Sequence, residues 1–354
     1  MSAGLLTPSG NPGKPGKPGR SGRSGRSTGT VRTGAAARLT DPTTVVYLAL
    51  LGVYLLGWIV VEARGGAFLT MDHTVGILQN SVVLGLVAVG QTAVILTGSL
   101  DLSVAYLISI TTLVAAETMD GKDANILPAI GAVLALSAAV GLFNGIVVTT
   151  FKVNAFIATL GVGFMLRGWI EDHYSGPAGK VSETFQRLGY DRIGPLPVSA
   201  FLLLAVGAAV WLVLRRSRLG HHMYAVGGDE QTARLSGVRT HRVIIAAHVL
   251  CAVCAGLAGL FLAARLGAGS PWAGTEARYD LTSIAAVVLG GTALAGGRGG
   301  VAGTLGGVLI LAVLDSVFNQ IGVDPFFQNV VRGVVIIVAV ALYARRATAK
   351  GASA

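Results

Sequence analysis

At 354 residues, with 53% hydrophobic and only 12% charged residues, the chain is too apolar for an ordinary soluble domain and reads as a polytopic membrane protein. Its net charge of +10 does not point to nucleic acid, because aromatics make up only 6% and the basic residues are not interleaved with them as a stacking platform requires.

Residues 1–42, with the run NPGKPGKPGRSGRSGRSTG, lack the apolar content to fold and read as a disordered basic cytoplasmic tail, an unstructured tail with no role being favoured over one that brushes anionic membrane lipid. The first apolar run, Val45 to Val61, begins too late for a cleavable signal peptide and is long enough to remain as an anchor. Hydrophobic segments lie at about residues 43–61, 76–97, 102–118, 126–150, 154–171, 198–214, 243–265, 280–296, 300–320 and 328–344. Most are near the ~20 residues a bilayer needs. The predicted fold is therefore all-α, with about ten transmembrane helices and both termini cytoplasmic. On that topology 18 Lys and Arg residues face the cytoplasm and 6 face outside, while Arg167, Arg265 and Arg332 fall within spans. This is the expected positive-inside bias. The membrane-embedded body runs from 43 to 346, with an outside loop at 172–197, a cytoplasmic loop at 215–242 and a short cytoplasmic tail at 347–354.

Between the second and third spans, TGSLDLS interrupts the helix at Gly98, sets Asp101 in the break and suggests a restart capped by Ser103. Polar groups within spans are costly and need a partner or a watery cavity. Asn80, Gln91, Asn144 and Thr159 suit a pathway for a hydroxylated solute, because amides and hydroxyls donate and accept. Interhelical hydrogen bonds without a ligand explain them equally well. The outside loop EDHYSGPAGK…SETFQRLGYDRIGPLP is large enough to receive a soluble delivery protein and too small to be a receptor domain.

The stretch 215–242, RRSRLGHHMYAVGGDEQTARLSGVRTHR, is the longest strongly basic internal break, with six Arg residues. It predicts a turn at Gly227 and Gly228, then a short helix over EQTARLS capped by Asp229 and closed by Gly237 in a left-handed conformation. A short exposed helix between two spans is a natural docking knob for a soluble partner; the alternative is a solvated loop whose charges only fix topology. Later in the chain, Cys251 and Cys254 lie inside an apolar segment without a second pair, which favours packing over a metal or redox role. LGGTALAGGRGG at 289–300 implies a sharp turn with Arg298 on the cytoplasmic face. Gly299, Gly303 and Gly307, like Gly141 and Gly145, recur every four residues and permit close helix contact, as general packing or as a translocation core or dimer seam. Asp315 and Arg332 lie at similar depth in the last two spans and predict a structural salt bridge.

No G-x-x-x-x-G-K-[ST] or H-E-x-x-H occurs, so the chain does not cradle a nucleotide by a P-loop and has no zinc-protease helix; the one G-x-S-x-G match, GRSTG at 25–29, falls in the low-complexity tail and not on the strand-to-helix turn a hydrolase elbow needs. ATP-driven work would need a separate subunit.

Three runs carry a resemblance: TGSLDLSV at 97–104, YAVGGDEQTARLSGVRTHRV at 224–243 and YDLTSIAAVVLGGTALAGGRGGVAGTLGG at 279–307, joined by LFNGIVVTTFKVNAFIATLG at 142–161. Together they resemble the membrane permeases of ribose-type sugar ABC importers over residues 76 to 344. The resemblance implies about ten helices, a second permease subunit, two cytoplasmic ATPases that hold ATP and Mg and grip the loop after the sixth span, and an extracytoplasmic sugar-binding protein. It assigns ATPase coupling to Gly227, Gly228, Asp229, Glu230, Ala233, Arg234, Leu235, Ser236 and Gly237. The substrate pathway falls to Asn80, Gln91, Asp101, Asn144, Phe156 and Thr159. Where the family usually has Gly-Gly-Ile-Asp-Leu-Ser-Val-Gly, this chain has Gly98, Ser99, Leu100, Asp101, Leu102, Ser103, Val104 and Ala105, and an amide is commoner where Asp315 stands. Fewer glycines stiffen the break. The expected function is ATP-driven alternating access for a monosaccharide in the bacterial plasma membrane, with no cofactor in this chain. The alternatives are a nucleoside or branched-chain amino acid permease, or an ion-coupled secondary transporter.

Overall fold

The computed structural model describes residues 42–324, 326–331 and 333–334. The basic tail before Pro42, most of the tenth predicted span, the 347–354 tail and Arg332 lie outside the described residues.

Residues 326–331 and 333–334 are helical, and the described chain up to Gln320 forms twelve α-helices, with one 3-10 turn and one minute hairpin. They are α1 (Pro42–Glu62), α2 (Met71–Leu96), α3 (Val104–Met119), α4 (Ile126–Thr150), α5 (Ala155–His173), α6 (Glu183–Tyr190), α7 (Val198–Arg216), α8 (Arg218–Gly228), α9 (Glu230–Leu235), α10 (Thr240–Leu266), α11 (Tyr279–Leu289) and α12 (Val301–Gln320). Six of them, α1, α2, α4, α7, α10 and α12, are long and apolar enough to cross a membrane. A helix that is apolar all round is either deeply buried or lipid-embedded. Both cases occur here: most of α2 is buried, whereas α1 and α4 leave apolar faces open on the outside of the bundle.

The bundle is built round α10, which packs against α4, α2 and α3. Small residues let the backbones approach. A Cβ on Gly141 or Gly145 of α4 would stand 2.7 Å from α10 backbone atoms at His248 and Ile245, and one on Gly90 of α2 would stand 2.7 Å from the Cys254 Cβ. The glycines of α12 serve the same purpose: a Cβ on Gly303 or Gly307 would meet the carbonyls of Gly290 and Ala286 at α11. These four-residue repeats are therefore used for packing within the chain.

The ends of the helices gather in two layers. One layer holds Asp72 against Arg192 at 2.9 Å, the Ala178–Gly269 bridge and the β1–β2 hairpin (Arg192–Ile193 with Leu196–Pro197). Its small helix α6 is opened by the Ser182 hydroxyl, which accepts from the Phe185 amide at 3.2 Å. The opposite layer holds the α2–α3 break, α8, α9 and the glycine-rich segment before α12.

Two sequence expectations are corrected here. The eighth span, expected over 280–296, is an 11-residue helix, α11, followed by irregular chain. Gly291, Gly296, Gly297 and Gly299 all take positive φ, a conformation that ends helix propagation. Gly227 and Gly228 do not form a turn but complete α8, and only at Asp229 does the backbone become extended.

Candidate functional site

The break between α2 and α3 is the most polar place in the interior. Gly98, at φ +76, turns the chain out of α2, and its left-handed backbone suits a residue without a Cβ. The polar side chains that follow, Ser99, Asp101 and Ser103, are buried and hydrogen-bonded. Asp101 Oδ1 accepts from the Ser103 amide at 3.0 Å and from the Ser103 hydroxyl at 2.6 Å. Asn144, from α4, donates through Nδ2 to Ser103 Oγ at 2.9 Å and lies 3.3 Å from Asp101 Oδ2. Thr159, from α5, accepts from the Leu102 amide at 3.0 Å and donates to the Ala155 carbonyl at 2.8 Å.

His248 of α10 completes the cluster, with Nε2 3.0 Å from Ser99 Oγ and Nδ1 3.4 Å from Asp101 Oδ2. A carboxylate only accepts, so Nδ1 carries the hydrogen, and in the neutral ring Nε2 accepts the Ser99 hydroxyl. One turn further along α10, the Cys251 thiol donates to Gln91 Oε1 at 3.2 Å. Both cysteines are buried and free.

Of the six residues assigned to a pathway, the structure thus gathers Asp101, Asn144 and Thr159 round one break, with Gln91 adjacent through Cys251. It separates the other two. Asn80 sits in the opposite layer, where its Oδ1 accepts from Arg265 at 3.0 Å, and Phe156 is 48% exposed on the first turn of α5. Ser103 stands at the start of α3 but makes no capping bond, because its hydroxyl is committed to Asp101 and Asn144. His248 and Ser99 were missed. His248 gave only the signal of a lone polar residue inside an apolar run, Ser99 was one of several in the polar run TGSLDLS, and the two meet across 149 positions.

The second part of the site is the α8–α9 element. Ser217 opens α8 by accepting from the Gly220 amide at 3.1 Å. Asp229 opens α9 by accepting from the Thr232 amide, and this bond holds its carboxyl below the usual carboxylate range. Gly237, at φ +85, closes α9, and the Val238 amide returns to the Ala233 carbonyl at 3.0 Å. Glu230 and Arg234 pair one turn apart at 2.9 Å. Ala233 is the buried face of α9, whereas Leu235 is 84% exposed. The inner side of α8 is seated firmly. Tyr224 donates its hydroxyl to the Gly299 carbonyl at 3.0 Å, and partial burial pushes the phenol up. Gly227 lies so close to the Leu96 carbonyl and the Gly297 amide that a Cβ would collide with both. Gly297 itself donates to Leu96 O at 3.0 Å.

Asp315 is half-buried on α12; its expected partner, Arg332, lies outside the described residues. Among the described residues no group of three or more His, Cys, Asp or Glu is arranged to hold a metal ion.

Residues 73–340 match the protein family described as the permease component of branched-chain amino acid transport systems. The chain belongs to this permease family. Among its curated relatives, the ribose import permease protein RbsC of Escherichia coli K12 is 42% identical over 286 residues, covering 79% of this chain and 88% of that protein. RbsC of Bacillus subtilis is 36% identical over 298 residues, 82% of this chain and 90% of its own. The D-allose transport system permease protein AlsC of E. coli is 34% identical over 278 residues, 78% and 84% respectively. No solved structure matches the chain. The break, the α8–α9 element and the glycine-rich segment before α12 all fall inside the span that this permease family covers.

Proposed function

We propose that the chain is the transmembrane permease subunit of an ATP-binding-cassette importer that moves a monosaccharide, ribose or a similar simple sugar. The likeness to sugar permeases along most of both chains carries this reading. In it the chain sits in a bacterial plasma membrane with both termini cytoplasmic, pairs with a second permease subunit, identical or related, and receives sugar from an extracytoplasmic binding protein. ATP and Mg²⁺ belong to separate cytoplasmic ATPase subunits. This chain supplies the path and the lever and breaks no covalent bond.

The lever is the element from Gly227 to Gly237. Its exposed Leu235, beside the Glu230–Arg234 pair, is an apolar knob on a polar helix, suited to a groove on an ATPase. Closure of the ATPases on ATP would shift α8 and α9 and switch the central path from outward-facing to inward-facing. Asn80, Gln91, Asp101, Asn144, Phe156 and Thr159 remain the proposed polar lining of that path. The first four of these to be buried together, Gln91, Asp101, Asn144 and Thr159, would come into contact with solute only after the break rearranges. Asp315 with Arg332 is a proposed structural pair.

The family's description favours a second solute class, branched-chain amino acids. The test covers both. The tagged chain is purified in mild detergent from its own cells beside Arg234→Glu and Leu235→Glu variants, and each is reconstituted with its partners for uptake of ribose, allose and leucine with and without ATP. A stoichiometric ATPase that is lost from the variants, with ATP-dependent sugar uptake by the wild type, is expected. Leucine uptake in place of sugar would move the substrate assignment. Uptake without ATP that stops when an ion gradient is dissipated would replace the importer with a secondary transporter.

A further inference from the structure

The α2–α3 break is gripped from two sides by the same piece of chain. At its start, the Leu96 carbonyl is capped by the Gly297 amide at 3.0 Å and covered by the backbone of Gly227, the penultimate residue of α8. At its centre, Ser99 and Asp101 are both held by His248 of α10. The end of α8 makes the first grip, and α9 lies between the two in sequence. It passes into α10 through a closed connection, with Val238 bonded to Ala233 and the Arg242 amide bonded to Arg239 O at 3.1 Å. His248 is eight residues into α10, about 12 Å along a rigid rod. A displacement of α8 and α9 relative to the bundle cannot leave both grips in place.

The cluster also carries an imbalance. Gln91 Nε2 and Asn144 Oδ1 are buried with no hydrogen-bond partner, although the other polar atoms of the same two amides are bonded. An unmet buried donor or acceptor costs on the order of 1–3 kcal/mol, and a second arrangement of the break is where such groups find partners. An element with two nearly balanced arrangements is what converts a pushed helix into an opened path.

We propose that residues 97–103 are the switching joint of the permease and that His248 is the positioning residue through which the α8–α9 element drives it. The proposal rests on the importer reading. His248 touches no solute here; it acts by holding Ser99 and Asp101 to α10, so that the break follows α10 when the coupling element moves. The Gly227–Leu96 contact sets the other end of the joint.

The test is the amount of sugar imported per ATP hydrolysed by the complete complex in proteoliposomes, with binding protein present, for wild type, His248→Leu, His248→Gln and Ser99→Ala. His248→Leu is expected to assemble and hydrolyse ATP yet import roughly tenfold less sugar per ATP, the scale of losing one or two buried hydrogen bonds. His248→Gln, whose amide donates and accepts, is expected to recover most of that ratio, and Ser99→Ala to lower it by about threefold. An unchanged ratio in His248→Leu overturns the proposal, since His248 would then be packing alone. Should His248→Leu fail to assemble, the Ser99→Ala ratio decides, and its equality with wild type overturns the proposal. A wild-type complex that imports nothing on ATP would instead sink the importer reading itself.

Discussion

Asp229 and Asp101 stand at two helix interruptions and do similar local chemistry in opposite surroundings. Asp229 accepts a backbone amide three residues ahead and starts α9 at the exposed surface. Asp101 accepts a backbone amide two residues ahead, but it is fully buried and also receives Ser103, Asn144 and His248. Water can replace any bond that Asp229 loses. Nothing can do so at Asp101, where loss strands donors from two helices and the break itself. The first interruption is thus adjustable, and the second is committed to one arrangement at a time.

The contrast breaks most sharply at Asp101. Asp101→Ala leaves His248, Ser103 and Asn144 with unmet donors and is expected to cost about 3–5 kcal/mol, read as a fall in the thermal unfolding temperature of the detergent-purified chain. An unfolding temperature equal to wild type would show that the cluster does not hold the bundle. Asp101→Asn keeps the shape and should lose less.

The two adjacent glycines at the end of α8 sharpen it next. Gly227→Ala forces a methyl group onto the Leu96 carbonyl and the Gly297 amide and is expected to cost about 1–3 kcal/mol. Gly228→Ala meets nothing within 4 Å and should change stability by less than about 0.5 kcal/mol. Equal effects from the pair would mean that α8 is not seated on the break.

The smallest effect belongs to Asp229. Its carboxyl is held below the usual range by the Thr232 amide, so its contribution is present above the unfolded carboxylate pKa and is lost as pH falls through the lower folded value. Protection of the Thr232 amide against hydrogen exchange should hold from neutral pH down to about 5 and weaken below about 4. Asp229→Asn, a neutral cap, should flatten that dependence; a dependence that persists in the variant would assign it to another group.

Much of this protein was legible without coordinates because the signals are short-ranged. Asp229 followed by EQTARLS and Gly237 spells a capped and closed helix within nine residues, and the structure has that helix. TGSLDLS announced a break, and the break is there. The misses share one cause. Whether Gly227 turns or packs depends on Leu96, 131 positions earlier, and nothing in its neighbours reveals that contact. The early end of α11 followed from Gly291, Gly296, Gly297 and Gly299, whose positive-φ backbone was counted as part of a span because the stretch is also apolar.

By itself, the sequence determined the membrane class, the alternating apolar segments, the position of the polar interruptions and the family, because hydropathy and capping are read residue by residue along the chain. Only the tertiary structure decided that Asp101, Asn144, Thr159 and His248 form one cluster, that Asn80 and Phe156 stand apart from it, and that α8 rests on the end of α2. In a bundle of apolar helices, hydropathy does not specify which faces meet; the glycine contacts between α10 and its neighbours decide that, and with it the partner of every buried polar group.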